Sequence, residues 1–185
     1  GASAAEWTFG DLGTSNAIDP SHSYANTGTY DVMLVASTGV GCTDTAYATV
    51  TVWDVPQAEF TLSTDNGCDP VLVDFTNTSS GDGLSFGWQF GGLGTSTDPD
   101  PPTFTFPADA VDEIIYYVSL TVTNVCGNNV AIAPVTVMPS PTAVFGPSLD
   151  VYCSYADVPF ANASYGLPDQ FEWDFGDGTG STSAD

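Results

Sequence analysis

The chain contains no lysine and no arginine among its 185 residues, and it has only one histidine. Its 23 Asp and Glu residues therefore leave a formal net charge of −23 at pH 7. Binding to the phosphate backbone of a nucleic acid depends on basic side chains that release counterions. A polybasic membrane patch needs the same residue types. The sequence therefore predicts an acidic protein without a nucleic-acid partner, without a basic membrane-binding patch and without internal Lys or Arg ion pairs.

Long apolar runs are also absent. No stretch of about 18 consecutive apolar residues is present, so the sequence predicts no direct membrane insertion. Apolar residues at 3.6-residue spacing are not sustained anywhere. Instead apolar and polar residues alternate, as in residues 116–122 (YYVSLTV), between turns rich in Gly, Pro, Asn and Asp. Alternation with a period of two is typical of β-strands, and 42% hydrophobic residues favour a folded chain. We therefore predict an all-β protein.

The sequence repeats itself. A W-x-F-G motif begins at Trp7, Trp88 and Trp173, which are 81 and 85 residues apart. Residues 73–79 (VDFTNTS) recur as 158–164 (VPFANAS), again 85 positions later. Residues that this repeat aligns are called counterparts below. Several anchors in one order make the repeat a property of the whole chain.

The repeat predicts three segments joined by two short Pro-containing linkers. We expect residues 1–53 to be the C-terminal part of one repeat, residues 57–138 a complete repeat, and residues 141–185 the N-terminal part of a further repeat. They are called the first, second and third segments. Six or seven short strands in the second segment fit a two-sheet antiparallel sandwich. Its strands are predicted near 58–62, 71–77, 85–90, 103–106, 115–123 and 130–138.

Residues 7–11 (WTFGD) and 173–177 (WDFGD) resemble the signature of PKD (polycystic kidney disease-type) domains. Residues 22–24 (HSY), 28–34 (GTYDVML) and the F-x-N-x-S pattern of Phe75 and Phe160 resemble further parts of that signature. The resemblance implies tandem immunoglobulin-like β-sandwich domains of a prokaryotic secreted or cell-surface protein, which are extracellular and non-catalytic. The second segment departs from the pattern, with Gly92 in place of the Asp and residues 104–106 (FTF) in place of HSY. The residues assigned to the core motif are Trp7, Trp88, Trp173, Tyr30 and Tyr116.

The four cysteines follow the same repeat. Cys68 and Cys153 are 85 residues apart, and Cys42 and Cys126 are 84 apart. We expect an intradomain disulfide between Cys68 and Cys126, whereas Cys42 and Cys153 would bond to a neighbouring repeat or subunit. Metal binding is the alternative, although the chain has no C-x-x-C pair. Disulfides would place the protein outside the cell or on its surface.

No residue pattern predicts catalysis, and no cofactor-binding residue is assigned. His22 is the only imidazole that could serve as a base, and its place in the PKD-like HSY stretch favours a hydrogen-bonded loop residue. Asp174 and Asp177 form a carboxylate pair of the kind that hydrolyses glycosides, but a turn motif that accepts backbone N–H bonds is the simpler interpretation. The motif tryptophans could stack on sugars, yet a fixed place in the predicted core favours packing.

The sequence leaves two additions to the chain undecided, a bound calcium ion and covalently attached glycans. Calcium prefers oxygen ligands, and the resemblance implies calcium binding for some related modules, although no fixed ligand spacing is present. Asn77 and Asn162 begin N-x-S sequons, and Thr45 lies in a D-T-A triplet of the O-glycosylation type, so the protein could be a glycoprotein. The weak calcium candidates are Asp65, Asp69, Asp174 and Asp177.

These observations predict a structural repeat segment that forms a stalk, an adhesin shaft or a filament. The partial repeats at both ends suggest head-to-tail assembly, in which identical or adjacent PKD-like repeats complete split sandwiches. The alternative is an accessory carbohydrate- or protein-binding module of a secreted hydrolase, for which a surface polysaccharide would be the partner.

Overall fold

The computed structural model describes residues 4–109, 111–147, 153–154 and 157–183. Within these ranges it contains seventeen β-strands and no helix, so no described helix could cross a membrane. The prediction of an all-β protein is confirmed. The strands follow from the sequence pattern, because alternating Val, Thr, Tyr and Phe residues pack well on a pleated surface.

The strands divide among the three segments in chain order. The first segment contains β1 (Ala4–Thr8), β2 (Thr14–Ser15), β3 (Gly28–Ser37) and β4 (Thr43–Val52). The second segment contains β5 (Phe60–Leu62), β6 (Asn66–Cys68), β7 (Val71–Val73), β8 (Phe75–Asn77), β9 (Ser85–Phe90), β10 (Thr95–Ser96), β11 (Phe104–Phe106), β12 (Ile114–Asn124) and β13 (Gly127–Met138). The third segment contains β14 (Phe145–Pro147), β15 (Phe160–Asn162), β16 (Trp173–Asp174) and β17 (Gly180–Ser181).

The first segment forms one antiparallel sheet with the strand order β2-β1-β3-β4. β3 and β4 make a hairpin whose register runs from Gly28 opposite Val52 to Ser37 opposite Thr43. The hairpin turn is closed by the amide of Thr38, which donates to the carbonyl of Cys42 over 2.9 Å. The sheet therefore presents one long hairpin beside the short motif hairpin of β1 and β2.

The second segment has the strands of a two-layer sandwich. One sheet has the order β10-β9-β12-β13-β6, in which β6 pairs with the end of β13 in parallel. The remaining strands form the antiparallel pairs β11–β7 and β5–β8. Side chains from both sets meet in one core, where the rings of Phe75 and Trp88 lie 5.5 Å apart. The buried apolar side chains of this core are Val71, Val73, Phe75, Trp88, Phe90, Phe106, Val118, Leu120, Val122, Val135 and Val137.

The stretch predicted as one strand over 71–77 is divided at Asp74. β7, before it, pairs with β11, whereas β8, after it, pairs with β5. The amide of Asp74 donates to the hydroxyl of Ser63 over 2.9 Å, so the backbone there is held by a side chain. The buried side chains alternate without a break across Asp74, which is why the sequence alone predicts a single strand. The short strands β6 and β10 carry no such alternation and were not predicted.

The third segment repeats the pairings of the second. Phe145 lies opposite Asn162 as Phe60 lies opposite Asn77. Trp173 likewise lies opposite Ser181, which matches the pairing of Trp88 with Ser96. Described strands of this segment therefore correspond to β5, β8, β9 and β10.

The chain forms two compact units. One contains residues 1–57 with the two loops 80–84 and 123–129, and the other contains the remaining residues. In the first unit Asn124 Nδ2 donates to the carbonyls of Asp54 and Asp82, over 2.7 and 2.9 Å. Two loops of the second segment thus hold the linker that follows the first segment. The division into three repeats, with boundaries at the linkers, stays a prediction.

Candidate functional site

The tryptophan of the repeated motif makes the same hydrogen bond in all three segments. Its indole Nε1 donates to a backbone carbonyl ten residues later in the chain, at Ala17, Asp98 and Ser183, over 3.1, 3.0 and 2.9 Å. This bond ties the motif strand to the strand that follows and satisfies the polar atom of the ring. Trp88 is buried in the closed core. Its environment is that of a packing residue.

The motif glycine begins a turn that other residues could not make easily. Gly10, Gly91 and Gly176 have φ angles of 81°, 59° and 80°. A Cβ atom at Gly91 would lie 2.8 Å from Cβ of Tyr116. This glycine is therefore required both by the left-handed backbone and by the close approach of the next long strand. Gly10 has the same need, because a Cβ atom there would lie 3.3 Å from Cβ of Tyr30.

The side chains of Asp11 and His22 are hydrogen-bonded in the first segment. Asp11 Oδ2 lies 2.7 Å from His22 Nε2, and Asp11 Oδ1 accepts the amide of Gly13 at 2.9 Å. These two hydrogen bonds, the one from His22 first, hold the pKa of Asp11 below its ordinary value. The His22 ring stacks on Phe9 with centroids 4.1 Å apart and meets the edge of Tyr24. Loss of solvation and the charge of Asp11 raise the pKa of Tyr24.

The second segment replaces this polar pair with an apolar one. Phe104 stacks on Phe90 with centroids 4.3 Å apart, as His22 stacks on Phe9, and Gly92 stands in place of Asp11. A carboxylate beside an imidazole can orient that imidazole as a general base. Since phenylalanine occupies the same place without any titratable group, the position has a packing role.

The core of the second segment is closed from both sides. The aromatic half comes from strands β5 to β9, and it includes Phe75 and Phe90, which are 5% and 2% exposed. The aliphatic half comes from β12 and β13, whose Val118 and Val135 have no exposed surface. Each half is therefore shielded by the other.

The third segment has the aromatic half alone among its described residues. Phe160 and Phe175, the counterparts of Phe75 and Phe90, are 36% and 42% exposed. Phe145 is exposed as well, and its ring lies 5.4 Å from that of Trp173. A cavity of about 360 Å³ opens beside these two rings and is lined by residues of 141–145, 164 and 168–174. We call this surface the aromatic half-core.

The first segment has the aliphatic half. β3 and β4 are the counterparts of β12 and β13, and Val50 on β4 is 37% exposed although its counterpart Val135 is fully buried. Leu34 and Val52 are half-buried. We call this face of the hairpin the aliphatic half-core. The two half-cores of the chain are thus the two sides of the core that the second segment closes.

The first segment, which carries the complete motif, matches a known protein family. Residues 1–52 match the PKD domain family. PKD domains are typically extracellular, non-catalytic modules with an immunoglobulin-like β-sandwich fold. The predicted resemblance to PKD domains and the predicted immunoglobulin-like fold class are confirmed, whereas the tandem arrangement and the prokaryotic source stay predictions.

Two solved structures are similar to the chain at low sequence identity. The amphioxus IgVJ-C2 molecule is 10% identical, with a TM-score of 0.43, over 73% of this chain and 89% of that one. The fibronectin(III)-like modules of Clostridium thermocellum CbhA are 15% identical, with a TM-score of 0.37, over 75% and 78% of the two chains. A search of curated proteins found no match.

The prediction of a disulfide between Cys68 and Cys126 is wrong for the second segment. Cys68 and Cys126 are exposed free thiols. Cys68 pairs with Met138 at the last residue of β13, whereas Cys126 directly precedes its first residue, Gly127. A strand of twelve residues is roughly 36 Å long, and the Cα atoms of a disulfide are about 4.4–6.8 Å apart. An equal spacing along the repeat therefore does not make the two cysteines a pair. Cys42 and Cys153 are also free thiols, and their bond to a neighbour stays a prediction.

The four calcium candidates accept hydrogen bonds within the second and third segments. Asp69 Oδ1 accepts the amide of Ala108 at 2.7 Å, and Asp174 Oδ1 accepts that of Gly176 at 2.8 Å. The hydroxyl and amide of Thr179 both donate to Asp177 and hold its pKa below the ordinary value. Asp65 Oδ1 accepts a side-chain N–H of Asn66. In the described part of the chain, no three His, Cys, Asp or Glu side chains are grouped as metal ligands would be.

The F-x-N-x-S motif forms a local turn in the second and third segments. Oδ1 of Asn77 accepts the amide of Ser79, and Oδ1 of Asn162 accepts that of Ser164, both at 3.0 Å. Thr45 lies exposed on β4. Glycosylation of Thr45, Asn77 and Asn162 stays a prediction.

Proposed function

We propose that the chain is a structural module of an extracellular or cell-surface shaft or filament, and that its copies assemble head to tail. In this assembly the third segment of one copy and the first segment of the next form one closed PKD-like sandwich. The observation that carries the proposal is the complementary exposure of the aromatic and aliphatic half-cores. No catalytic or cofactor chemistry is required for this role.

The second segment supplies the template for the composite sandwich. There the aromatic strands are covered by β12 and β13, and the counterparts of these two strands are β3 and β4 of the first segment. The occupant of the aromatic half-core is therefore a β3–β4 hairpin of a second copy. Full burial of a large apolar side chain contributes about 1.5–3 kcal/mol, so covering several exposed aromatic rings favours association. The contact joins two different surfaces, and such a contact propagates along an axis.

The composite sandwich needs only one copy of the motif hairpin. The first segment brings β1 and β2 with Trp7, and the third brings their counterparts β16 and β17 with Trp173. One of these two hairpins must leave the sheet when the copies join. A chain that ends at Glu172 is expected to assemble more readily, because it lacks the redundant hairpin.

Association is also expected to depend on salt. Each copy carries a formal charge of −23 without a single Lys or Arg. Like charges repel over about 30 Å at 0.01 M salt, but over only about 3 Å at 1 M. Assembly is therefore favoured by salt or by mild acidity.

Sedimentation velocity and negative-stain electron microscopy of the reduced chain test the proposal across a range of concentration and salt. We expect species that grow with concentration, and short rods in the micrographs. Phe145→Glu places a charge on the aromatic half-core and is expected to abolish growth. Val144→Glu is the matched control, because the counterpart of Val144 is the exposed Glu59 of the closed segment, and it should assemble like the parent chain. A chain that stays monomeric, or equal assembly by both variants, would refute the proposal.

A further inference from the structure

We infer that consecutive PKD-like repeats are joined by disulfides. Each disulfide links the early cysteine of one repeat, which is Cys68 or its counterpart Cys153, to the late cysteine of the next, which is Cys126 or its counterpart Cys42. In the head-to-tail assembly, on which this inference rests, Cys153 of one copy bonds to Cys126 of the next, and Cys68 bonds to Cys42. Each junction between copies then carries two covalent links. Neither pair is the intradomain pair of Cys68 and Cys126 that sequence spacing alone suggests.

The first observation concerns the late cysteine. Cys126 lies in the turn between β12 and β13, and its thiol donates to the carbonyl oxygen of Trp53 with an S–O distance of 3.6 Å. Trp53 directly follows β4, the last strand of the first segment. The late cysteine of the second segment thus lies against the end of the repeat that precedes it.

The second observation concerns the early cysteine. Cys68 pairs with Met138, and the amide of the next residue, Asp69, donates to the carbonyl of Met138 at 2.9 Å. Met138 directly follows the V-T-V of the second segment, as Trp53 follows that of the first, so the two are counterparts. An early cysteine therefore lies beside the last residue of its own repeat.

Together the two observations place Cys153 and Cys126 beside the same residue, Trp53. Cys153 is the counterpart of Cys68, so in a completed first segment it lies beside Trp53, where Cys126 already is. The amide next to Cys153 and the thiol of Cys126 then point to the same carbonyl oxygen. A disulfide between the two cysteines requires Cα atoms about 4.4–6.8 Å apart. The same rule places Cys68 of one copy beside Cys42 of the next, because Cys42 lies in the β3–β4 turn as Cys126 does in the β12–β13 turn.

The chemistry needs an external oxidant. Two thiols lose two protons and two electrons as the S–S bond forms, and a disulfide oxidant such as oxidised glutathione takes them up and becomes two thiols. Oxidising compartments outside the cell supply such an acceptor. All four thiols are exposed and can therefore react with it.

A fusion of two copies tests the pairing without relying on assembly. Residues 1–172 of one copy are followed directly by residues 7–185 of a second copy, which creates one composite repeat with a single motif hairpin. The fusion keeps Cys153 in the first copy and both Cys42 and Cys126 in the second, with serine at all other cysteine positions. It is oxidised in a glutathione buffer, digested with pepsin and analysed by mass spectrometry with and without reduction.

We expect Cys153 to be linked to Cys126 in the main cross-linked peptide. A main link between Cys153 and Cys42, or a Cys153 that stays unlinked in a fusion with a cooperative melting transition, would overturn the inference. The fusion with all its cysteines provides a second measurement, in which a further link from Cys68 of the first copy to Cys42 of the second is expected. Sedimentation of the reduced, unfused chain reports on assembly separately, so the failure of one proposal is distinguishable from the failure of the other.

Discussion

Replacing Gly91 with alanine should destabilise the second segment much more than replacing its neighbour Gly92. Both glycines have positive φ angles, 59° and 88°. A Cβ atom at Gly91 would lie 2.8 Å from both Cβ and Cδ1 of Tyr116, whereas one at Gly92 would meet no described atom within 4 Å. The two variants thus share the backbone strain and differ in the steric overlap.

The expected magnitudes follow from these two terms. A left-handed alanine costs about 1–2 kcal/mol, and the lower entropy of the unfolded alanine chain offsets about 0.4–1 kcal/mol. Gly92→Ala should therefore cost about 1 kcal/mol. Overlap with a packed side chain adds about 1–3 kcal/mol, which gives roughly 2–4 kcal/mol for Gly91→Ala. For a domain of this size, about 2 kcal/mol between the variants corresponds to roughly 8–16 °C in melting temperature.

Calorimetry of the parent chain and both variants measures the difference. Both substitutions lie in one segment, so they act on the same unfolding transition. Equal melting temperatures for the two variants would show that a Cβ atom at Gly91 does not overlap with Tyr116. That result would refute the steric role assigned to the motif glycine.

Three further predictions concern the first segment and the charge. Leu12 is fully exposed with a φ of 75°, whereas the corresponding turn of the third segment has Gly178 at 86°. Leu12→Gly should raise the melting temperature, because removing about 1 kcal/mol of backbone strain outweighs the flexibility that glycine adds to the unfolded chain. The reverse change, Gly178→Leu, should lower the melting temperature. The folded pKa of Asp11 is lowered, so its contribution to stability is present above its unfolded pKa and is lost as pH falls through the folded pKa. The stability advantage of the parent chain over Asp11→Asn should therefore shrink in urea titrations between about pH 5 and about pH 2, and a constant difference would contradict the His22 contact. Raising NaCl from about 0.01 M to about 1 M should raise the melting temperature by screening, and CaCl₂ at matched ionic strength should do no more; a much larger effect of calcium would indicate a specific site.

Much of the fold can be predicted from the sequence, because the buried face of each long strand has a period of two. The predicted strand over 115–123 appears as β12, and that over 130–138 falls within β13. Short strands such as β6 and β10 depend on their partners instead of their own side-chain pattern. The division of residues 71–77 at Asp74 likewise cannot be predicted from periodicity. The alternation of buried and exposed side chains continues unchanged where the strand changes its pairing partner.

The candidate site was predictable only in part. The 85-residue spacing makes Phe145 the counterpart of Phe60. It could not indicate how much of each ring is exposed, because exposure depends on which strands cover it. The loss of Asp11 and His22 together in the second segment was visible in the sequence, but its meaning required the stacking of Phe104 on Phe90 in the same place.

The cysteines show most clearly what spacing leaves undetermined. A repeat fixes which cysteines are equivalent, but not the ends of the sandwich at which they lie. The parallel pairing of β6 with the end of β13 places the early cysteine where one repeat ends. The β12–β13 turn places the late cysteine where the preceding repeat ends. Two equivalent sets at opposite ends of a module cannot close a bond within it, but the inferred assembly would bring the early cysteine of one module beside the late cysteine of the next. The arrangement that excludes the intradomain disulfide is therefore the one that favours a covalent link between modules.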